Sequence, residues 1–340
     1  LAEAELEYKD RIDISIYVNF QCVDSQAVYN AFDIAGDKPT HVTIWTTTPW
    51  TLPANLAVAV HPRFTYLLVE MDGVITIVAE ELLEQVKNAA KAKNVSILGK
   101  AVGEKLVGLS YQHPFCERTG KVVAADYVTL EDGSGLVHTA PGHGLEDFEV
   151  CKSYDIEIPQ TVSEDGTFFS HVPMFAGEHV YKCNEHVADE LENAGRLLKR
   201  GKIKHSYPHS WRSKAPLIYR NTSQWFISME TNDLRAKAMA AIDETKWYPQ
   251  SGHKRLSTMV GNRPDWLLSR QRAWGVPITI FAHKETGEIL RDEAVNLRIV
   301  EVMEAEGSDA WYASDASRFL GNTYNPDDYE MVQDILDVWF

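Results

Sequence analysis

From residue 40 to residue 140 the apolar positions fall in short blocks rich in β-branched residues, separated by Pro, Gly and Asp. Residues 40–48 read as a strand ended by Pro49 and Pro53, since a locked φ and a missing N–H do not suit a ladder. Residues 56–60 and 66–71 read as further strands. Asp72-Gly73 is a hairpin signal from which residues 74–79 return. Over residues 80–93 the period changes, and Leu82, Leu83, Val86, Ala89 and Ala90 fall on one face of a helix. Strands are expected over 121–130 and 136–139, then a tight loop at Pro141-Gly142-His143-Gly144 and a helix over 145–154. Without regular βαβ alternation, this order predicts a mixed α+β, barrel-like domain. Past about residue 205 the texture is helical. Helices are expected over 223–229, 233–244 and 264–274, then a strand over 277–282 that turns at Glu285-Thr286-Gly287 and pairs with 288–290.

A chain of 340 residues fits two domains, or one with a large insertion. Apolar residues make up 44% and charged residues 24%, which excludes global disorder. No apolar run approaches the ~18 residues that span a bilayer, and the opening LAEAELEYKD does not read as a secretory leader. That opening, without Met, and the close on the apolar run DILDVWF give the expectation of an internal piece of a longer protein. Cys22, Cys116, Cys151 and Cys183 are too scattered for a zinc clamp or a disulfide framework, so a reducing cytoplasm is the expected compartment.

The net charge of −16 argues against non-specific nucleic-acid binding by the whole surface. Charge is nevertheless segregated. Residues 195–220 carry Arg196, Lys199, Arg200, Lys202, Lys204, Arg212, Lys214 and Arg220 with no acidic residue, whereas residues 301–340 are acidic. Tyr207, Trp211 and Tyr219 interleave with the cations. That mixture suits either a solvated face or a nucleic-acid strand, where cations meet phosphates and rings stack on bases.

Three peptides carry candidate chemistry. Trp45-Thr46-Thr47-Thr48-Pro49-Trp50-Thr51-Leu52-Pro53-Ala54-Asn55 crowds hydroxyls at a strand end before two prolines. It offers neutral donors and acceptors on stiff backbone, for a polar ligand or a water, or it is a Thr-rich edge strand with a buried Trp. Gly133-Ser134-Gly135-Leu136-Val137-His138-Thr139-Ala140-Pro141-Gly142-His143-Gly144-Leu145-Glu146-Asp147 sets His138 at a strand end and Asp147 in the first turn of a helix. There a carboxylate binds an ammonium group or simply complements the helix dipole. No further Cys or His stands at zinc-ligand spacing. Asn262-Arg263-Pro264-Asp265-Trp266-Leu267-Leu268-Ser269-Arg270-Gln271-Arg272-Ala273-Trp274-Gly275-Val276-Pro277-Ile278 groups cations and Trp residues on one short segment.

Together these peptides resemble, in order and over essentially the whole chain, the class I isoleucyl-tRNA synthetases. The first two are similar to that family's editing motifs. The third, with the terminal Asp337-Val338-Trp339-Phe340, is similar to its return into the nucleotide-binding domain. Valyl and leucyl relatives carry Arg-Pro after the Thr pair, whereas this chain has Thr48-Pro49-Trp50. The resemblance implies a β-barrel-like editing domain with its entry ribbon over residues 1–205, inserted in a Rossmann-type catalytic domain of which residues 206–340 are part.

It further implies hydrolysis of valine wrongly attached to tRNA(Ile), by water attack on the aminoacyl ester. Asp147 would hold the α-ammonium, and Trp50 and His138 would flank the side chain. Thr46, Thr47, Thr48 and Asn55 would hold the ester or terminal adenosine and orient the water. Lys199, Arg200, Lys202, Lys204 and Arg212 would contact tRNA. The implied partners are tRNA(Ile), valine and isoleucine, for a monomeric protein away from membranes. No metal or cofactor is implied for editing. ATP and Mg2+ belong to the full-length synthetase, whose His-x-Gly-His and Lys-Met-Ser-Lys-Ser signatures are missing here, so aminoacylation by this piece is not expected. Lys254-Arg255-Leu256-Ser257-Thr258 resembles the second signature only faintly and stands in the wrong order. The other readings are a valyl- or leucyl-type editing domain and a non-catalytic tRNA-binding module.

Overall fold

The computed structural model describes residues 6–270 and 275–336. Its contacts divide the chain into two compact units between Thr222 and Ser223. Residue 205 lies inside a strand, and the first unit continues through a loop whose Leu217 carbonyl accepts from the Tyr181 and Tyr207 hydroxyls at 2.6 and 2.8 Å.

The first unit is built on a ring of strands. β1 (Leu6–Gln21) is paired along its first part with β10 (Leu197–Ser210), from Leu6 opposite Ser210 to Val18 opposite Leu197. The second part of β1 turns to β2 (Thr40–Thr46), antiparallel. The far edge of β2 is shared: residues 40–42 run parallel to β5 (Val74–Ala79), and Trp45 pairs with Val137 of β9 (Leu136–Thr139). From β9 the order continues through β3 (Ala57–Val60), β8 (Thr119–Ala124) and β7 (Ser110–Gln112). A bridge from Tyr111 to Cys22, with Val23 N–H donating to Ser110 O at 2.8 Å, returns to the end of β1 and closes the ring. Closure joins β1, β2, β9, β3, β8 and β7 into a ring, with β10 outside it on β1, which is the barrel-like, mixed α+β architecture expected from the pattern. β4 (Thr65–Met71) and β6 (Val95–Val102) extend outward from β5.

Period-two burial explains the closure. Ile16, Val18, Phe20, Val42, Ile44, Val58 and Val60 all point into one core and are fully buried. The helices seal it. α1 (Ser25–Ala31) is capped by Asp24, which accepts from Gln26 N–H and Ala27 N–H. α2 (Leu83–Ala90) follows one 3-10 turn and ends at Lys91, which takes the left-handed conformation, short of residue 93. α3 (Leu145–Ser153) follows the Pro141 loop, and α4 (Val180–Asn193) buries Val180, Cys183, Val187 and Leu191 at helical spacing. Sequence pattern pointed to neither α1, α4 nor β1. β8 stops at Ala124 rather than running to 130, because Ala125 N–H closes on Val60 O at the strand end and the chain turns away.

The second unit departs further from expectation. α5 (Leu234–Glu244) and α6 (Ser251–Gly261) are helical, and Lys254–Thr258 lies inside α6 rather than in a loop. The helix expected over 223–229 is instead extended: β11 (Phe226–Ile227) pairs with β12 (Trp266–Leu267). The helix expected over 264–274 is likewise replaced, as far as Arg270, by β12 and β13 (Ser269–Arg270). Partners across the segment supply the hydrogen bonds a helix would have made internally: Leu268 N–H to Trp225 O, Trp225 N–H to Ser269 Oγ and Met229 N–H to Asp265 Oδ1. Gln271–Trp274 and the strand expected at Asp337–Phe340 lie outside the described residues. β14 (Phe281–His283) starts later than residue 277, where Pro277 makes only a bridge to Ile335, and it makes the expected hairpin with 288–290. It pairs with β15 (Tyr329–Met331), and β13 pairs with β16 (Ile335–Leu336). α7 (Glu293–Glu306), α8 (Ala310–Ala313) and α9 (Ala316–Leu320) close over Phe281, Trp311 and Phe319. No helix among the described residues is long and apolar enough to cross a membrane.

Candidate active site

At the end of β2 the proline pair converts the strand into a 3-10 helix, Pro49–Ala54. The bend gathers the threonines. Thr48 N–H donates to Thr46 Oγ1 at 3.1 Å, the two hydroxyl oxygens lie 3.2 Å apart, and Thr51 N–H donates to Thr48 O at 3.0 Å. Across from them run the Gly133–Gly135 turn, β9 and the first turn of α3. Between these elements is a cavity of about 370 Å³, lined by Thr46, Thr47, Thr48, His138, His143 and Asp147 among others. Thus the two peptides singled out in the sequence, almost a hundred residues apart, share one hollow.

Asp147 does not cap its own helix. Its carboxylate reaches back across the loop, where Oδ2 accepts Ala140 N–H at 2.8 Å and Oδ1 accepts the Tyr127 hydroxyl at 3.1 Å. Desolvation raises its pKa above the ordinary 3.8, against the lowering by these two donors, and nearby Glu146 adds to the rise. A part-buried carboxylate on a cavity wall, with no cation paired to it among the described residues, is a site suited to an ammonium ligand.

His138 is only 8% exposed and has both ring nitrogens occupied. Asn55 Nδ2 donates to Nδ1 at 2.8 Å, and Nε2 lies 2.9 Å from Thr51 Oγ1. Burial, reinforced by His113, His143 and Arg118, lowers its pKa to about 3, so the ring is neutral, a weak proton acceptor, and offers the cavity a largely apolar surface. Asn55 itself does not line the cavity; it holds the ring. Trp50 does not line it either. The residue is 3% exposed, in the barrel core, with its indole edge-on to His143 at 4.8 Å, and its backbone N–H donates to Asn184 Oδ1. His143, which does line the cavity, is held through Nδ1 to Tyr219 O and Nε2 to Thr161 Oγ1, both at 2.8 Å. Sequence reading missed the roles of Thr51, Tyr111, Tyr127 and His143. Only Thr51 and His143 carried a signal, by standing inside the two motifs.

None of Lys199, Arg200, Lys202, Lys204 and Arg212 lines the cavity. Arg200 binds Asp189 and Glu185, Lys204 lies 2.7 Å from Asp10, and Arg212 covers the Trp211 ring. The acids of β1 and α4 therefore offset much of the basic strand. Among the described residues no group of three His, Cys, Asp or Glu is placed to hold a metal ion. All four cysteines are buried, and burial pushes the thiols up, to about 11 for Cys22 and about 12 for Cys151 and Cys183.

Comparison with known proteins agrees in kind. The family model for tRNA synthetases class I (I, L, M and V) matches residues 1–340. The isoleucine–tRNA ligase of Actinobacillus pleuropneumoniae serotype 7 (strain AP76) is 46% identical over 343 residues, covering 100% of this chain and 36% of the relative. That of Haemophilus ducreyi is 46% identical over 341 residues, again covering 100% of this chain and 36% of the relative. The chain thus spans about a third of the length of these curated relatives. A crystal structure of the P. knowlesi cytosolic leucyl-tRNA synthetase editing domain aligns with a TM-score of 0.43 at 11% identity, covering 62% of this chain and 97% of that one, a likeness too loose to carry a role. From the match to the family model along its whole length, this chain belongs to the class I tRNA synthetases of the I, L, M and V group.

Proposed function

We propose that this chain is the proofreading portion of an isoleucine–tRNA ligase and hydrolyses the ester between valine and tRNA(Ile). One observation carries the reading: the part-buried Asp147 carboxylate and the Thr46–Thr48 hydroxyls line one cavity. An aminoacyl ester has the matching parts, an ammonium next to a carbonyl next to a ribose. Asp147 binds the ammonium. The threonine hydroxyls hold the ester and place a water against its carbonyl. Water adds to the carbonyl carbon, the bond to the ribose oxygen breaks, and valine and tRNA with a free terminal ribose leave. His138 is not the base, because both its nitrogens are committed and a pKa lowered to about 3 by burial leaves it a weak proton acceptor. Among the described residues no serine or cysteine at the cavity is hydrogen-bonded to a histidine, the Ser134 hydroxyl being turned to the Leu136 backbone, so positioning of water, with the vicinal ribose hydroxyl assisting, supplies the rate.

Editing answers a limit on binding. One methylene is worth only ~1–3 kcal/mol in a pocket, a range for which isoleucine-specific synthetases are themselves the standard example. A second site must therefore admit valine and exclude isoleucine by size. The apolar faces of His138 and His143 form that limit, with Trp50 backing His143.

The wider assignment rests on the same family. The first unit, which runs to Thr222 and not only to residue 205, corresponds to the editing domain, and residues 223–340 are part of the Rossmann-type catalytic domain into which it is inserted. The longer protein, monomeric and cytoplasmic, charges tRNA(Ile) with isoleucine using ATP and Mg2+. The cations of β10 approach tRNA phosphates. The test is deacylation by the purified chain: Val-tRNA(Ile) is cleaved and Ile-tRNA(Ile) is spared. Equal rates on both, or no cleavage of either, refute the proposal.

A further inference from the structure

We propose that Tyr111 is a positioning residue for this hydrolysis: acting through Asn55, its hydroxyl fixes the tautomer and pose of the His138 ring and so the width of the cavity. The inference rests on the editing function proposed above.

A single line of hydrogen bonds carries it. Tyr111, fully buried on β7 where the ring of strands closes, donates to Asn55 Oδ1 at 2.6 Å. Asn55 Nδ2 gives one proton to Ala57 O at 2.9 Å and the other to His138 Nδ1 at 2.8 Å. The neutral ring therefore carries its proton on Nε2 and donates to Thr51 Oγ1, whose own proton goes to Thr48 O at 2.8 Å. The imidazole and the Thr51 hydroxyl each accept once and donate once along this line. The line starts on Tyr111 in the buried core and ends on the carbonyl oxygen of Thr48, a residue that lines the cavity.

The polarity of this line has two guards. Turning the Asn55 amide over would set two acceptors, Oδ1 and Ala57 O, against each other, and would also face the amide N–H2 with the phenol donor. Removing the phenol removes one guard and leaves Asn55 Oδ1 buried without a donor, which is costly. The relief open to it is reversal: the amide turns, His138 takes its proton on Nδ1, and Thr51 donates to Nε2 and releases Thr48 O. The phenol ring itself packs against Phe20 at 5.1 Å and would stay in Phe. Its hydroxyl needs the bare backbone of Gly120, where a Cβ would stand 2.2 Å from the oxygen.

The test is Tyr111→Phe in the full chain, with two readings. The first is the nitrogen NMR signature of His138, assigned by its loss in His138→Gln. The unmodified chain should show a neutral ring protonated on Nε2, and the variant a mixture with the Nδ1 form. The second is the ratio of kcat/KM for Val-tRNA(Ile) to that for Ile-tRNA(Ile), expected to fall by about 3- to 10-fold, the range of one neutral hydrogen bond. Adding Tyr111→Phe to Asn55→Ala should change neither reading further. A His138 protonated on Nδ1 in the unmodified chain overturns the inference without any variant, as does a variant that keeps both tautomer and ratio. Tautomer exchange in a chain that cleaves neither ester would leave Tyr111 coupled to His138 but refute the editing function.

Discussion

Asp147→Asn separates function from stability. The amide keeps the shape of the carboxylate: its oxygen still accepts Ala140 N–H, and its N–H2 still meets the Tyr127 oxygen. Only the charge is lost. A hydrogen bond to a charged group is worth ~1.5–3 kcal/mol, so losing the ammonium's counter-charge should lower kcat/KM on Val-tRNA(Ile) by about 10- to 150-fold. Stability should move the other way. Because burial raises the Asp147 pKa above 3.8, the folded chain holds this proton more tightly than the unfolded chain. The ionised group therefore opposes folding as pH rises through that interval, and the cost persists at neutral pH. Removing the charge removes that cost, so the Asn variant should melt at the same or a higher temperature at pH 7. The assays are single-turnover deacylation against pH and a thermal melt. In the unmodified chain kcat/KM should fall as pH drops through the raised pKa, and the variant should lack that acid limb. An Asn variant that deacylates within about threefold of the unmodified chain, or that melts markedly lower, would falsify the ammonium-site reasoning.

Other outcomes follow from the same geometry. Gly135→Ala places a Cβ 2.3 Å from that of Ala79, at a left-handed φ of 76°, and should cost about 1–3 kcal/mol in urea unfolding; an unchanged midpoint would contradict the tight approach of these loops. Burial holds His113 and His138 at about 3, below 6.5, so the unfolded chain binds more protons and stability should fall as pH drops from 6.5 toward 3, read as a declining urea midpoint. A flat midpoint between pH 6.5 and 4.5 counts against two neutral buried imidazoles. A thiol reagent should label none of the four cysteines quickly in the folded chain and all four in denaturant, and prompt labelling when folded would place at least one at the surface.

The cavity was half legible in one dimension. Threonines before a proline pair, and a histidine and an aspartate around a glycine-rich turn, mark themselves because hydroxyls, carboxylates and tight turns have few other reasons to cluster. Which way each side chain faces is set by packing. Trp50 follows the same Pro whether its indole meets a ligand or, as here, the core and His143. Tyr111 stands 56 residues from its partner Asn55, so no local pattern announces the pair. β1 escaped notice because its first half lies in a two-stranded ribbon, where charged residues suit either face. The segments around Phe226 and Trp266 have helical spacing but find better backbone partners in each other, a competition propensity cannot settle.

The pairing of Leu6 with Ser210 has a consequence for how such a unit travels between proteins. Opposed residues of antiparallel strands lie about 5 Å apart, so the incoming and outgoing strands of the barrel stand side by side. A recipient backbone need open only one peptide-wide gap in a surface turn to accept the whole barrel. Joining the two strands by a short turn would delete it with little disturbance to what remains.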